Sequence, residues 1–205
     1  MAQVKKDLVR TRINREALRL FMTRGYDLTS MADIAGKAGI SVGNLYHYYE
    51  NKNDLFCFLV PPELIEESRH LLIEKVRSAH GFSIKEAGRQ QTIIDRHNQF
   101  IRFLSRNRQQ MVIAFRHGKG TIYENLMTET LDLTLDIVTS YIKEQTRHQK
   151  TFPTRKTRLL LKIVYQNLLQ GTLDILEACS SEPDIQTFLG QYLAYHFAGL
   201  ERILE

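Results

Sequence analysis

Residues 30–52, SMADIAGKAGISVGNLYHYYENK, restrict the fold more than any other stretch, because they spell two short helices and the sharp corner between them. Ser30 is placed to cap a first helix, with Asp33 three residues on as the reciprocal acid of a capping box. Ile34, Ala35 and Ala38 give that helix an apolar face, with a small residue where a second helix must come close. Gly39 falls where the chain has to turn, and glycine accepts a positive φ without strain. Ile40 fills the corner, and Ser41 caps the next helix. Leu45 and Tyr49 are one turn apart and can face inward together. Val42, Gly43, Asn44, Tyr46, His47 and Tyr48 are left on the outer side and rim, a set too rich in aromatic and hydrogen-bonding groups for an ordinary solvated face. Three adjacent aromatic residues cannot all point into a core. A helix of this kind is shaped to enter the major groove of DNA.

The run from Ser41 to Phe56, SVGNLYHYYENKNDLF, resembles the recognition-helix signature of TetR-family transcriptional repressors, in which Leu-Tyr-x-[His/Tyr]-aromatic precedes a lysine that opens a long fourth helix. Upstream, Phe21-Met22-Thr23-Arg24-Gly25-Tyr26 is similar to the family's first-helix ending, and Thr29 stands where its threonine is expected. The resemblance implies that Tyr46 and Tyr48 meet phosphates through their hydroxyls, that His47 reaches base edges, and that Gly43 lets the backbone approach the duplex. Val42 would offer an apolar contact, such as to a thymine methyl. Lys52 sits at a helix start, where a cation opposes the helix dipole, and a phosphate contact accounts for that placement. Thr29 and Ser30 are caps first and phosphate contacts second, and Ser41 and Asn44 complete the expected DNA-contacting set.

The rest of the chain reads as helical, so the fold class is all-α, with about nine helices. Helices are expected over 3–24, over 52–79 with a kink or a break near Val60 caused by Pro61 and Pro62, over 84–106 after a loop at 81–83, over 108–116, over 121–148 and over 154–179. A last helix is capped by Ser181 and carries Pro183 in its first turn. A DNA-binding head over 1–57 and an effector-binding and dimerisation body over 58–205 are the expected domains.

In the helix over 154–179 apolar residues leave little polar face, so burial on more than one side is expected. Gly190, Ala194 and Ala198 make a stripe of small residues at four-residue spacing that would admit a close helix neighbour. A self-complementary homodimer absorbs such surface, and Leu161, Leu168, Gly190, Ala194, Phe197 and Ala198 are its expected contacts. An internal helix pair is the alternative. The resemblance further implies a small-molecule effector cavity in the body, with His97, Phe100, Phe103, Phe115, His117, Tyr123 and Tyr165 as candidate lining.

Composition sets outer limits. A net charge of +5 leans mildly toward a polyanionic partner. No stretch is long and apolar enough for a membrane span, and the basic N-terminus lacks a signal peptide's apolar centre, so a cytoplasmic protein is expected. Cys57 and Cys179 match no metal or redox spacing. Glu67-x-x-His70 is half of a di-iron motif without a second copy, since Ile94 and Gln145 stand where His97 and His148 would need a glutamate. His117-Gly118-Lys119-Gly120-Thr121 lacks the spacing of a phosphate loop. No catalytic arrangement, metal site or cofactor is therefore expected. The functions implied are a sequence-specific regulator on a near-palindromic double-stranded operator, released by a small-molecule effector, or else an effector-blind architectural DNA binder. A helical enzyme that borrowed the head is a third class, disfavoured by the missing ligand spacings and triads.

Overall fold

The computed structural model describes residues 2–78, 90–145 and 155–204, and among them there are ten helices and no strand. These are α1 (Ala2–Arg24), α2 (Met31–Ala38), α3 (Val42–Tyr46), α4 (Lys52–Leu59), α5 (Pro62–Ser78), α6 (Gln91–Arg106), α7 (Arg108–Arg116), α8 (Leu126–Gln145), α9 (Arg155–Ala178) and α10 (Glu182–Leu204). The kink or break expected near Val60 is a full break between α4 and α5, which divides one of the nine expected helices into two. The expected loop at 81–83, the helix start at residue 84 and the junction around Pro153 lie outside the described residues.

The chain forms two compact units. The first takes in the chain up to Ile65 together with Gln109–Leu126. Its core joins Ile13, Ala17 and Phe21 of α1 to Ile34 and Ala38 of α2, Leu45 of α3, and Leu55 and Phe56 of α4, all buried. Met111, Val112, Ile113 and Ala114 of α7 are buried too. Phe56 is an aromatic hub: its ring meets Phe21 edge-on at 5.5 Å, Tyr26 at 5.0 Å and Tyr123 at 5.9 Å. Such pairs add to plain burial. At the break, Val60 keeps its amide bond to the Phe56 carbonyl at 2.8 Å, and its own carbonyl accepts a hydrogen bond from Tyr123 Oη at 2.9 Å. The Leu64 amide turns to the Pro61 carbonyl at 3.0 Å, so the Val60 carbonyl has no helical donor, and a phenol 63 residues away in sequence satisfies it instead.

The expected helix over 121–148 starts later than its pattern suggests. Residues 118–125 form turns, and α8 begins at Leu126. The cause is local side-chain bonding that competes with the helix. Thr121 Oγ1 donates to the Gly118 carbonyl at 2.6 Å and accepts from the Tyr123 amide at 3.1 Å, while Gly120 sits at φ 78°.

The second unit comprises Glu66–Arg108 and the chain from Met127 onward. Leu131, Leu135, Val138 and Ile142 form one stripe of α8 and pack with Leu161 and Tyr165 of α9, against which Leu168 also lies. That corrects the reading of Leu161 as a dimer contact: it is 0 % exposed within the single chain, because it belongs to this cluster. Arg108 reaches across to donate to the Leu176 carbonyl at 3.2 Å. Ser181 caps α10 by accepting from the Asp184 amide at 3.2 Å. α9 and α10 approach closely at Gly171, where Tyr192 lies over the glycine and donates to the Asn167 carbonyl at 2.8 Å.

Candidate nucleic-acid interface

Every cap expected in the turn between α2 and α3 is present. Ser30 Oγ accepts from the Asp33 amide at 3.1 Å, and the Asp33 carboxylate accepts in return from the Ser30 amide at 2.9 Å. The hydrogen bonds from Ser30, its hydroxyl first, hold the Asp33 carboxyl below its ordinary pKa. Gly39 takes up φ 64°, and its amide turns back to the Gly36 carbonyl at 3.2 Å. Ser41 Oγ then accepts from the Asn44 amide at 3.2 Å to open α3. Leu45 and Tyr49 are buried as expected. The helix itself is short: His47 is its C-cap, so His47 and Tyr48 are carried on the turn that follows.

Ser41, Val42, Gly43, Tyr46 and His47 are exposed, with Asn44 and Tyr48 half-buried at the margin. No atom lies within 4 Å of where a Cβ would stand on Gly43, so that side of α3 is open. A shallow groove of about 470 Å³ runs beside it, bounded by Asp27 to Ala32 on one side and Val42, Tyr46 and Lys52 on the other. Of the expected phosphate-contacting groups, Thr29, Ser30, Tyr46 and Lys52 line this groove, and Tyr48 does not.

Besides the capping Ser30, Thr29 and Lys52 are engaged within the chain. Thr29 is 1 % exposed, and its hydroxyl donates to the Gly25 carbonyl at 2.7 Å. The expectation of a phosphate contact through that hydroxyl is therefore corrected: burial spends it on closing the turn after α1. Lys52 Nζ donates to the Tyr26 carbonyl at 2.7 Å and lies 4.0 Å from the Tyr26 ring centroid. Partial burial lowers its pKa. An internal partner thus explains a cation at this helix start, and two of its three N–H donors are left over for another acceptor. The dipole is answered by Asn51, which caps α4 by accepting from the Asp54 amide at 2.9 Å, while the Asp54 carboxylate accepts from the Glu50 amide at 3.0 Å.

A clamp from α1 holds the end of this segment, and sequence reading missed it. Tyr49 Oη bonds to Asn14 Oδ1, and Arg10 Nε donates to the same hydroxyl at 3.4 Å. The Arg10 guanidinium also stacks 4.5 Å from the Phe58 ring centroid, and the bond to Tyr49 raises its pKa. Arg10 and Asn14 share one face at four-residue spacing, the only sign of this pairing in the sequence.

The candidate effector residues divide between the units. Tyr123, Phe115 and His117 belong to the head's unit. Tyr123 supports the α4–α5 break, and the His117 carbonyl accepts from the Tyr26 amide at 3.1 Å. Burial, first, pushes the Tyr123 pKa up to about 12. His97, Phe100, Phe103 and Tyr165 belong to the other unit, where Phe103 and Tyr165 are buried and His97 and Phe100 half-buried. Of the expected dimer contacts, Ala194 and Ala198 are exposed and the space around Gly190 is open, while Phe197's side chain lies outside what is described. Exposed apolar side chains flank them: Leu159, Leu160 and Ile163 on α9, and Phe188 and Tyr195 on α10.

Among the described residues no three His, Cys, Asp or Glu side chains gather as metal ligands, and no helix is long and apolar enough to cross a membrane.

Residues 13–57 match the family of bacterial regulatory proteins designated tetR. The fold is similar to that of a TetR-like transcriptional regulator from Rhodococcus sp. RHA1, at 19 % identity and a TM-score of 0.52, covering 93 % of this chain and 96 % of that one. A second bacterial regulatory protein in the tetR family, from Rhodococcus RHA1, aligns at 15 % identity and a TM-score of 0.52, covering 93 % of this chain and 95 % of that one. These two likenesses carry the all-α fold. No curated protein matches in sequence.

Proposed function

We propose that the chain is a DNA-binding transcriptional regulator of the TetR family, whose model its residues 13–57 match, and that it is a repressor. It acts in the cytoplasm as a homodimer on a near-palindromic operator and is released by a small molecule held in the body. The observation that supports this reading is the open rim of the capped turn. Val42 and Tyr46 stand clear of the core beside the groove and His47 is exposed next to them, while Leu45 and Tyr49 anchor the segment from beneath. Tyr46 and Tyr48 supply hydroxyls for phosphates, His47 and Asn44 supply groups for base edges, and Ser30, Ser41 and Lys52 add polar contacts along the backbone. Catalysis has no part in this function. The exposed apolar residues of α9 and α10 supply the dimer surface, and two copies then present two recognition segments at a spacing of roughly 34–36 Å, one turn of DNA.

Release requires that the effector bind one arrangement of the dimer better than the other, because a ligand with equal affinity for both shifts nothing. Selecting the sequences that purified protein retains from a random duplex library tests the reading. The expected outcome is a palindrome of two half-sites about 10 base pairs apart, centre to centre. A single unsplit site would overturn the dimeric arrangement, and retention without any shared sequence would overturn specific regulation.

A further inference from the structure

The charge of this chain is unevenly placed. Seven lysines and arginines against Asp7 and Glu16 give α1 a net charge of +5, which is the value of the whole chain. Basic side chains along an exposed helix are ordinarily solvated, but Arg10 is both exposed and held. Its Nε donates to Tyr49 Oη at 3.4 Å, and its guanidinium lies 4.5 Å from the Phe58 ring centroid and 5.8 Å from that of Tyr49. Tyr49 Oη donates its own hydrogen to Asn14 Oδ1, so a second partner keeps the phenol in place. Among the described residues no carboxylate forms an ion pair with Arg10, and Asp7 and Asp54 act on it only at longer range.

A guanidinium carries five N–H donors. Tyr49 takes the one on Nε, and the Nη edge that remains matches two oxygens of a phosphate. Tyr49 directly follows Tyr48 in the recognition segment, which runs from Val42 beside the Lys52 groove to this clamp. Lys52 holds the Tyr26 carbonyl just past the far end of α1. The fourteen residues from Arg10 to Arg24 set the two cations roughly 20 Å apart along α1. The major groove is about 12 Å wide, with a phosphate strand on each margin. Such a span reaches both margins while the segment between the cations enters the groove.

We propose that Arg10 is a DNA-phosphate contact on the margin of the groove opposite Lys52, with its Nη donors on the phosphate and its Nε on Tyr49. This assignment rests on the DNA-binding reading above and adds a contact from α1 to that site.

The test titrates the full chain against two duplexes, its selected operator and one of unrelated sequence, over a series of salt concentrations. Arg10→Met keeps a stem over Phe58 and removes the donors. Affinity for both duplexes should fall about equally, by about 5- to 10-fold near 0.1 M salt, and the slope of log affinity against log salt should lose about 0.9, one phosphate's share. Arg10→Lys keeps a cation and should restore the slope. Arg12→Met removes the same charge from the other side of α1, since two residues turn a helix more than halfway round, and it should change the slope far less. Melting temperatures check that each variant is folded, and Arg10→Gln is the second neutral variant should methionine disturb folding. A fall in affinity at an unchanged slope would overturn the assignment and make Arg10 a brace for Tyr49 alone. Equal losses of slope in Arg10→Met and Arg12→Met would overturn it as well, because the charge of α1 at large would then be what DNA meets. So would a loss confined to the operator, which belongs to a base contact. Wild-type protein that binds neither duplex would remove the DNA-binding reading itself, a failure distinct from the other three.

Discussion

The head and the body are held together by different means. In the head, short helices are pinned at their ends by side chains that bond to backbone: Ser30, Ser41 and Asn51 each accept an amide at a helix start. Phe56 then joins three aromatic partners from separate parts of the chain. In the body, long helices lie side by side on aliphatic stripes, and α6 begins at Gln90 with no side-chain cap. The head closes its core within one chain. The body leaves Leu159, Ile163, Phe188 and Tyr195 outside, the last of them 76 % exposed. A region stabilised by end caps can be complete at small size, whereas one stabilised by lateral packing has further faces to cover.

The sharpest way to break this comparison is to open each core in turn. Phe56→Ala removes a fully buried ring with three aromatic neighbours and should cost about 3–5 kcal/mol. Leu161→Ala should cost about 2–5 kcal/mol in the body. Denaturant titration followed separately by DNA binding and by helical signal distinguishes the two. Phe56→Ala should abolish DNA binding while much of the helix signal survives. If both variants lose both signals at one midpoint, the units unfold as one and the contrast between them falls.

The exposed small-residue stripe gives the next effect. Ala194→Leu should leave the single chain as stable as before, since Ala194 is exposed in it. At a close twofold crossing the added carbons would cost about 1–3 kcal/mol, and would do so twice. Sedimentation should show more monomer, and affinity for a two-half-site operator should fall steeply as linked sites become separate ones. A variant that stays dimeric would move the interface to the outer face of α9, around Leu159 and Ile163.

Acid should separate the regions further. His97 and His196 titrate near 4 when folded and near 6.5 as the ordinary value. Between those values the unfolded chain binds more protons, so the stability these residues contribute is full above about pH 6.5 and is lost as pH falls toward 4. Both keep some access to solvent, so screening holds the combined loss to roughly 1–2 kcal/mol. Melting followed against pH should show it, and His97→Gln should flatten the dependence. An unchanged slope in that variant would mean that burial does not hold His97 neutral in the folded chain.

The same contrast explains what could be read from residues alone. Ser30, Asp33, Gly39 and Ser41 act on atoms within four residues of themselves, so their roles follow from spacing. Tyr123 and Leu161 do not work that way. Tyr123 sits in a segment with helical pattern, and its role depends on a carbonyl at Val60 that becomes an acceptor only when the prolines break the helix. Leu161 is one of many apolar residues on a helix with little polar face, and only the neighbouring stripe of α8 decides that it points inward while Leu160 stays exposed. Gly171 gave no sign of the ring that lies over it. The Asn51-x-x-Asp54 cap is equally local, and its spacing is legible in the sequence.

The smallest effect sits where the two roles of one residue meet. Lys52 holds the Tyr26 carbonyl and ring, so Lys52→Met should lose one hydrogen bond to a charged donor and one cation–π contact while keeping the stem's packing. A cost of about 1–2 kcal/mol in stability is expected, because the site is only partly buried. If the remaining N–H donors also reach phosphate, affinity for every duplex should drop about equally, and the salt dependence of binding should lose about one unit of slope. Lys52→Arg keeps the charge but cannot make the same point contact, so it should restore the slope better than the stability. A Lys52→Met protein that melts early but titrates with an unchanged salt slope assigns the lysine to the head's structure alone. One that melts normally and loses the slope would instead show that the bond to Tyr26 gives way when DNA arrives.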